Sequence, residues 1–468
     1  MPRHEVLGGA MRIRGLAFLA ASAVAVSAQG QFGVATSFAS FSRMDQPSGY
    51  RYYPPDTEGV AGLTNVVVVN NSSMAIYDRL GNLQSFQTLR SMIPGAAAVG
   101  DNRLKYDPLS DRYFLSTTDF ADKLYIGVSK TGNPNDGFRF YSVNPRVGEP
   151  NALSDFPTFA VTKDGIYLGV DLYASPSDWD PASVNLIAIK KADVLNDTFS
   201  GSSYTINNRT GARWTKGSWQ GLDDPYGTMT DQKMVATSWY SSNVMHSSTV
   251  TLGGGGFTVS DNPDIPVTPY TQPGGAPQLG TGTGIQTNDS RLFGTPYYMN
   301  GMIWTVQNAD LGGTPGLQWN ENDASTGALI DSGTIGGAGQ AAYFGSVAVN
   351  EFGDIVIGYS GSDATSYASA YAIHGTVDGF GHVTMGSSIL LHSGTGANTS
   401  GRFGDYSETM VDPLDHHYFW TTQEYAQAGI DWGTFVARLG PTAVPEPATL
   451  AILAIGGLSI LRRKRSGA

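Results

Sequence analysis

Cysteine is absent from all 468 residues, which excludes a disulfide scaffold, Cys-ligated zinc, an iron–sulfur cluster and any thiol nucleophile. Charge is scarce too. Asp, Glu, Lys and Arg together make up 15% of the chain, against roughly 25% in an average soluble domain. The charge present leans acidic, with 40 Asp+Glu against 28 Lys+Arg and a net of −12. That balance argues against a nucleic-acid partner, because phosphate binding needs a basic surface. Between the termini no helical window longer than about ten residues survives. What is there suffices for a large core: 41% hydrophobic residues and 11% aromatics rule out global disorder. The 59 glycines and 24 prolines fall short of the roughly 25–30% of low-complexity chains. The length fits one large all-β domain or two to three ordinary ones.

The N-terminus reads as an export signal. Arg12 and Arg14 precede a short apolar stretch from Gly15 to Val26, and Val26-Ser27-Ala28 places small residues where signal peptidase cuts. Residues 1–28 are therefore expected to be a signal peptide cleaved after Ala28, and 29–49 a lead-in. At the other end, Val444-Pro445-Glu446-Pro447 is followed by an apolar stretch from Ala448 to Leu461 and then by Arg462-Arg463-Lys464-Arg465. Two prolines hold the motif extended, as a processing enzyme requires. Fourteen apolar residues give a helix of about 21 Å, short for a bilayer core of about 30 Å, with flanking arginines able to snorkel. These three parts, in this order, resemble the PEP-CTERM sorting signal of bacteria that carry an exosortase. The resemblance implies that 442–468 is a sorting segment read by an exosortase-like enzyme. It also implies transient or permanent membrane association through the apolar helix, and delivery to the cell envelope or extracellular matrix. Loss of both ends removes seven basic and two acidic residues, leaving a more acidic body that repels anionic polymers.

Residues 50–441 alternate short strands with Gly, Asn, Asp and Pro clusters. Val66–Val69 leads to Ala75–Asp78, Phe114–Thr118 to Leu124–Val128, Phe159–Val161 to Ile166–Val170, and Val347–Val349 to Ile355–Tyr359. Asp164-Gly165 and Gly353-Asp354 supply hairpin turns. Two segments echo each other: Asp107-Pro108-Leu109 runs through Tyr113-Phe114 to Thr117-Thr118, and Asp412-Pro413-Leu414 through Tyr418-Phe419 to Thr421-Thr422. Strand groups recur near 66, 113, 159, 234, 302, 347 and 418, a period suited to propeller blades with long loops. The fold expected is all-β, a β-propeller of seven blades with six as the alternative.

Three segments of the body resemble a family of exported bacterial propeller-like proteins without an agreed activity. They are Pro54 to Gly62; Tyr106 to Tyr141 with Asp107, Arg112, Ser129, Thr131 and Pro134; and Arg402 to Ser407 with Asp412-Pro413 and Phe419 to Tyr425. The likeness weakens between about Asn196 and Gln286. The body is also similar in appearance to sialidase-like propellers, but their Ser-x-Asp-x-Gly-x-Thr-Trp box does not occur.

Catalytic signatures are few. There is no Gly-x-Ser-x-Gly elbow and no His-Glu-x-x-His. His416-His417 reads as a solvated turn, and Gly253 to Gly256 lacks the Lys of a phosphate loop. No catalytic residue and no resident cofactor are expected. Asp261-Asn262-Pro263-Asp264 and Asn320-Glu321-Asn322-Asp323 read as oxygen-rich turns able to take Ca²⁺, though neither has EF-hand spacing. Arg402, Asp405, Tyr406 and Glu424 are the candidates for bracing blades or binding a ligand. The first reading is a non-catalytic binding or structural propeller contacting extracellular polysaccharide or envelope proteins. The alternative is a secreted carbohydrate hydrolase using Asp405 and Glu424, near Trp420 and Tyr425, as its two carboxyls.

Replacing Pro445-Glu446-Pro447 with three alanines should leave cleavage after Ala28 intact and retain the protein at the inner membrane. Fractionation and immunoblotting check this, and unchanged release of the variant removes the sorting assignment.

Overall fold

In the computed structural model, residues 31–253 and 256–442 are described. Both processing signals therefore lie outside the described residues. Phe32–Thr442 forms one unit by itself, built from seven antiparallel sheets of four or five strands.

Each sheet is a blade whose first strand lies innermost. Blade one comprises Glu58–Ala61, Asn65–Val69, Ser73–Asp78 and Leu83–Thr88. Blade two comprises Gly100–Asp107, Arg112–Thr118, Leu124–Ser129 and Phe138–Val143. Blade three is built on Gly165–Tyr173, Ser183–Lys190 and Tyr204–Arg209, with Leu153–Asp155 and Ala160–Val161 on its inner edge. Blade four runs from Gln220–Gly221 through Gln232–Thr237 and Ser241–Gly253 to Gly256–Asp261 and Ile265–Thr271. Blade five holds Tyr297–Met299, Met302–Asp310, Pro315–Asp323 and Leu329–Gly336. Blade six holds Ala341–Val349, Asp354–Asp363, Ser366–Val377, Val383–Met385 and Ile389–His392. Blade seven takes Glu408–Val411, Phe419–Ala426 and Trp432–Pro441 from the C-terminal end of the body.

The outer strand of blade seven is Phe32–Ser42, which pairs antiparallel with Trp432–Pro441. The propeller thus begins at Phe32, within the stretch read from the sequence as a lead-in. This strand was hard to see because it is an edge strand with few buried side chains and therefore no run of apolar residues. Phe32 faces Pro441, and Val411 faces Phe419. Both ends of the described chain therefore leave from the lower face, defined here as the face where the innermost strands end.

The middle strands carry the core because both of their faces are covered by neighbouring blades, which explains their continuous Val/Ile/Leu/Ala character. Val66 to Val69, Leu168, Leu186, Ile355 and Val356 are all buried. The longest helix among the described residues has five residues, Lys191–Leu195.

Asn320 to Asp323, read as an oxygen-rich turn, is instead the end of a strand in blade five, with Asn320, Glu321 and Asn322 buried. Its Asn/Asp content mimicked turn composition, while its alternation with Trp319 and Leu317 marked the pleat. Asp261 and Asp264 do sit at a strand end and loop, but Arg209 and Arg213 hold them at 2.9 and 2.5 Å.

The repeated Asp-Pro-Leu segments occupy equivalent places, in the turn after the innermost strand on the lower face. Asp107 of blade two pairs with Lys191 Nζ of blade three at 2.9 Å. Asp412 of blade seven pairs with Arg79 of blade one at 2.5 Å and with Arg438 at 2.6 Å. Lys191 and Arg79 each follow the third strand of the next blade, so one cross-blade ion pair recurs at two junctions, while Arg438 lies in blade seven itself. Burial tends to raise the Asp412 carboxyl, but hydrogen bonds from Arg79, Leu414 N and Arg438 hold it below the ordinary aspartate value.

Asp412→Ala should therefore destabilise the protein by about 3–5 kcal/mol, because it strands two half-buried arginines. Asp261→Ala, at a more exposed pair, should cost about 0–1 kcal/mol. Thermal melts of both variants check the contrast; equal losses would refute the junction role.

Candidate functional site

Asp56, Asp101, Phe156 and Phe344 share a left-handed backbone conformation, with φ of 49°, 51°, 47° and 53°. Each stands two residues before the point where the innermost strand of its blade takes up regular pairing: Glu58, Arg103, Thr158 and Ser346. In blades two, three and six the residues before the kink also pair with the second strand, so the kink is a bulge in the innermost strand. Bulky residues rarely accept this conformation, and its repetition at one rim is characteristic of a site whose geometry is held by its surroundings.

The upper mouth holds a cavity of about 500 Å³. Its walls carry Asp56, Asp101, Asp155, Asp289 and Asp405, with Arg291 and Arg402 among them. Aromatic rings of Phe156, Tyr173, Trp179, Trp239 and Tyr240 complete the lining. Trp179 is 87% exposed, a large apolar face presented to solvent at the rim.

A hydrogen-bonded belt runs around the mouth. Asn71 Oδ1 accepts from Asp101 N at 2.7 Å, and its amide donates to Asp56. Asp56 accepts from Asp405 N at 2.8 Å, Asp405 from Asn288 Nδ2 at 2.6 Å, and Asn288 from Arg402 Nη1 at 3.1 Å. On the far side Arg291 is bidentate on Asp289 at 2.8–3.0 Å. It is packed between Trp239 and Phe156, its guanidinium carbon 4.1 and 4.5 Å from the ring centroids.

Burial and mutual repulsion shift the carboxyls. Burial and the neighbouring Asp405 push Asp56 up to about 7. Burial pushes Asp171, behind Arg291, up to about 7 as well. Asp101 is raised by burial and by the charge of Asp155 beside it.

The four residues singled out from sequence separate here. Asp405 and Arg402 line the cavity and form an ion pair at 3.3 Å. Tyr406 and Glu424 do not line it. Tyr406 is buried against Arg103, whose guanidinium carbon lies 3.4 Å from its ring centroid. Glu424 is buried behind the wall, where Oε2 accepts from Gly404 N at 2.9 Å and Oε1 has no partner. Trp420 and Tyr425 are also buried. Asp405 and Glu424 therefore do not face each other across the cavity. Sequence reasoning missed Asp101, Asp155, Asp289, Arg291 and Trp179. Asp101 and Asp155 sit at the start of innermost strands and Asp289 and Arg291 ahead of one, whereas Trp179 lies in the loop between Gly165–Tyr173 and Ser183–Lys190; no sequence pattern marks them. Among the described residues no group of three or more His, Asp or Glu side chains is placed to share a metal ion.

Residues 443–465 match the PEP-CTERM protein-sorting motif. The chain is thus an exported β-propeller carrying the signal for exosortase-mediated processing. No helix among the described residues is long and apolar enough to cross a membrane, and the apolar stretch 448–461 lies outside them. The search of characterised proteins gives no match. Distantly similar solved structures include a hydrazine synthase of Kuenenia stuttgartiensis, at 12% identity and TM-score 0.36, covering 70% of this chain and 76% of that one. The WD40 domain of SCAP from fission yeast is similar at 9% identity and TM-score 0.37, covering 88% and 92%. A GH32 β-fructofuranosidase of Bombyx mori is similar at 9% and 0.34, covering 62% and 61%.

A carboxyl whose value is raised on folding contributes stability that is complete at acidic pH and is lost as pH rises through the raised value. The thermal stability should accordingly fall between about pH 4 and 7 through Asp56 and Asp171. Asp56→Asn and Asp171→Asn should each flatten that slope. Melts across this range check it, and unchanged slopes in both variants would show that neither group titrates there.

Proposed function

We propose that the protein is an exported, non-catalytic binding propeller that holds a carbohydrate segment in its upper mouth, at the cell envelope or in the extracellular matrix. One observation carries this reading: the cavity joins carboxylates, guanidinium groups and exposed ring faces in a single lining. Sugar hydroxyls donate to carboxylates and accept from guanidinium groups, while the C–H face of the ring stacks on Trp or Tyr. Arg402 and Asp405 belong to this lining and are assigned a ligand-binding role. The acidic surface favours neutral or amino sugars over acidic polymers. Rim loops on a rigid frame suit such recognition.

A hydrolytic reading rests on one further observation within the same cavity. Asp101, raised by burial, stands beside Asp155, as one half of a two-carboxyl acid–base pair would.

Calorimetric titration with neutral, amino and acidic polysaccharides tests the first reading. Saturable binding of a neutral or amino polymer is expected, weakened about tenfold by Trp179→Ala, since sugar stacking on the exposed indole is lost from the rim. Absence of any saturable binding would sink it. Release of reducing ends, abolished by Asp101→Asn, would replace it with the hydrolytic reading.

A further inference from the structure

The opposite end of the channel carries a second, chemically different cavity. It measures about 220 Å³ and is walled by Val60, Leu109, Val161, Met410, Val411 and Pro413. This lies below the roughly 300–1,000 Å³ of sites for drug-sized ligands, so its occupant is small. Lys105, Asp223, Glu408 and Tyr297 form the polar end.

The charges there are already matched. Lys105 Nζ donates to Asp223 Oδ2 at 2.7 Å and to both oxygens of Glu408 at 2.9 Å. All three ammonium donors are thereby used. Asp224, also in the lining, caps Thr228 N and Met229 N. His416 is bound to Glu351 at 2.7 Å. The exception is Tyr297. Its side chain is 2% exposed, lines the cavity, and its hydroxyl has no hydrogen-bond partner. A buried hydroxyl left unmade costs free energy that any acceptor at that point recovers.

We infer that the lower mouth is a binding site for a small, uncharged, mainly apolar molecule carrying a carbonyl or similar acceptor, which takes the hydrogen bond of Tyr297. The apolar walls fix its body and the single free donor fixes its head. An anionic head is disfavoured by Asp223, Asp224 and Glu408 around the hydroxyl. The site is independent of the carbohydrate reading, since none of its lining residues borders the upper cavity.

The test uses the full-length protein and three probes of one size: acetophenone, ethylbenzene without the acceptor, and benzoate with a charge. Saturation-transfer NMR and titration should show acetophenone binding most tightly and benzoate least. Tyr297→Phe, which removes only the hydroxyl, should weaken acetophenone about 5-fold and leave ethylbenzene unchanged. Leu109→Trp, at the exposed rim, should block both without touching the core. Equal acetophenone binding by wild type and Tyr297→Phe would overturn the inference. So would binding that survives Leu109→Trp, or no saturable binding of any probe.

Discussion

Arg103 is the group on which the centre of the propeller depends. Its Nη1 donates to Glu58 Oε1 of blade one at 2.9 Å and to Phe293 O at 2.9 Å, and its Nε to Pro157 O at 3.1 Å. The Tyr406 ring covers one face of the guanidinium. Segments from blades one, two, three, five and seven thus converge on one planar cation. Both Arg103 and Glu58 are fully buried, and burial pushes the Glu58 carboxyl up. A buried charge is stabilised by its ion pair and its hydrogen bonds. Here the ring geometry gives Nε and Nη1 their partners and leaves Nη2 without one, because innermost strands present backbone carbonyls and short polar side chains to the axis while the apolar core lies between blades. The ion pair joins neighbouring blades one and two, while the contacts with Phe293 O and Tyr406 reach blades five and seven, so the full set of partners is met only in the closed ring.

Strand geometry then gives the channel two ends of different chemistry. Arg103 and Lys105 are two residues apart on the same strand and point to the same face, as do Glu58 and Val60. Lys105 with Asp223 and Glu408 lines the lower mouth, while Asp101 on the same strand lines the upper one. The two cavities share no lining residue. One is rimmed with acid, guanidinium and rings; the other is apolar with a single unmade donor.

The blade count was legible from sequence because each blade has one strand pair buried on both faces. Val66–Val69, Ile166–Val170 and Ile355–Tyr359 announce themselves by unbroken apolar runs. The Asp-Pro-Leu echo was legible for a physical reason as well, since both copies make the same cross-blade ion pair. The upper mouth was not legible. Asp56-Thr57-Glu58, Asp101-Asn102-Arg103, Phe156-Pro157-Thr158 and Phe344-Gly345-Ser346 share a backbone kink but almost no side-chain identity. What repeats is φ, which the hydrophobic pattern does not encode. Arg402 and Asp405 were found because they are polar and clustered in sequence, and Glu424 was grouped with them although its strand buries it behind the wall.

The polar rim also bears on what the site is for. Burial at and behind the mouth raises Asp56, Asp101 and Asp171 above the ordinary carboxylate value, which costs stability near neutral pH. A purely structural ring has no need of such a rim, because the junction pairs at Asp107 and Asp412 already hold neighbouring blades together with opposite charges. The two features use the same residue type differently: Asp107 and Asp412 are matched by cations, whereas at the upper mouth Asp405 and Asp289 pair with arginines while Asp56 and Asp101 are raised by burial and by neighbouring carboxylates. Stability given up in one place while the frame is secured in another is the pattern expected where binding, and not closure, selects the residues. That contrast supports the ligand-binding role proposed for the upper mouth and fits the lower-face aspartates to the frame.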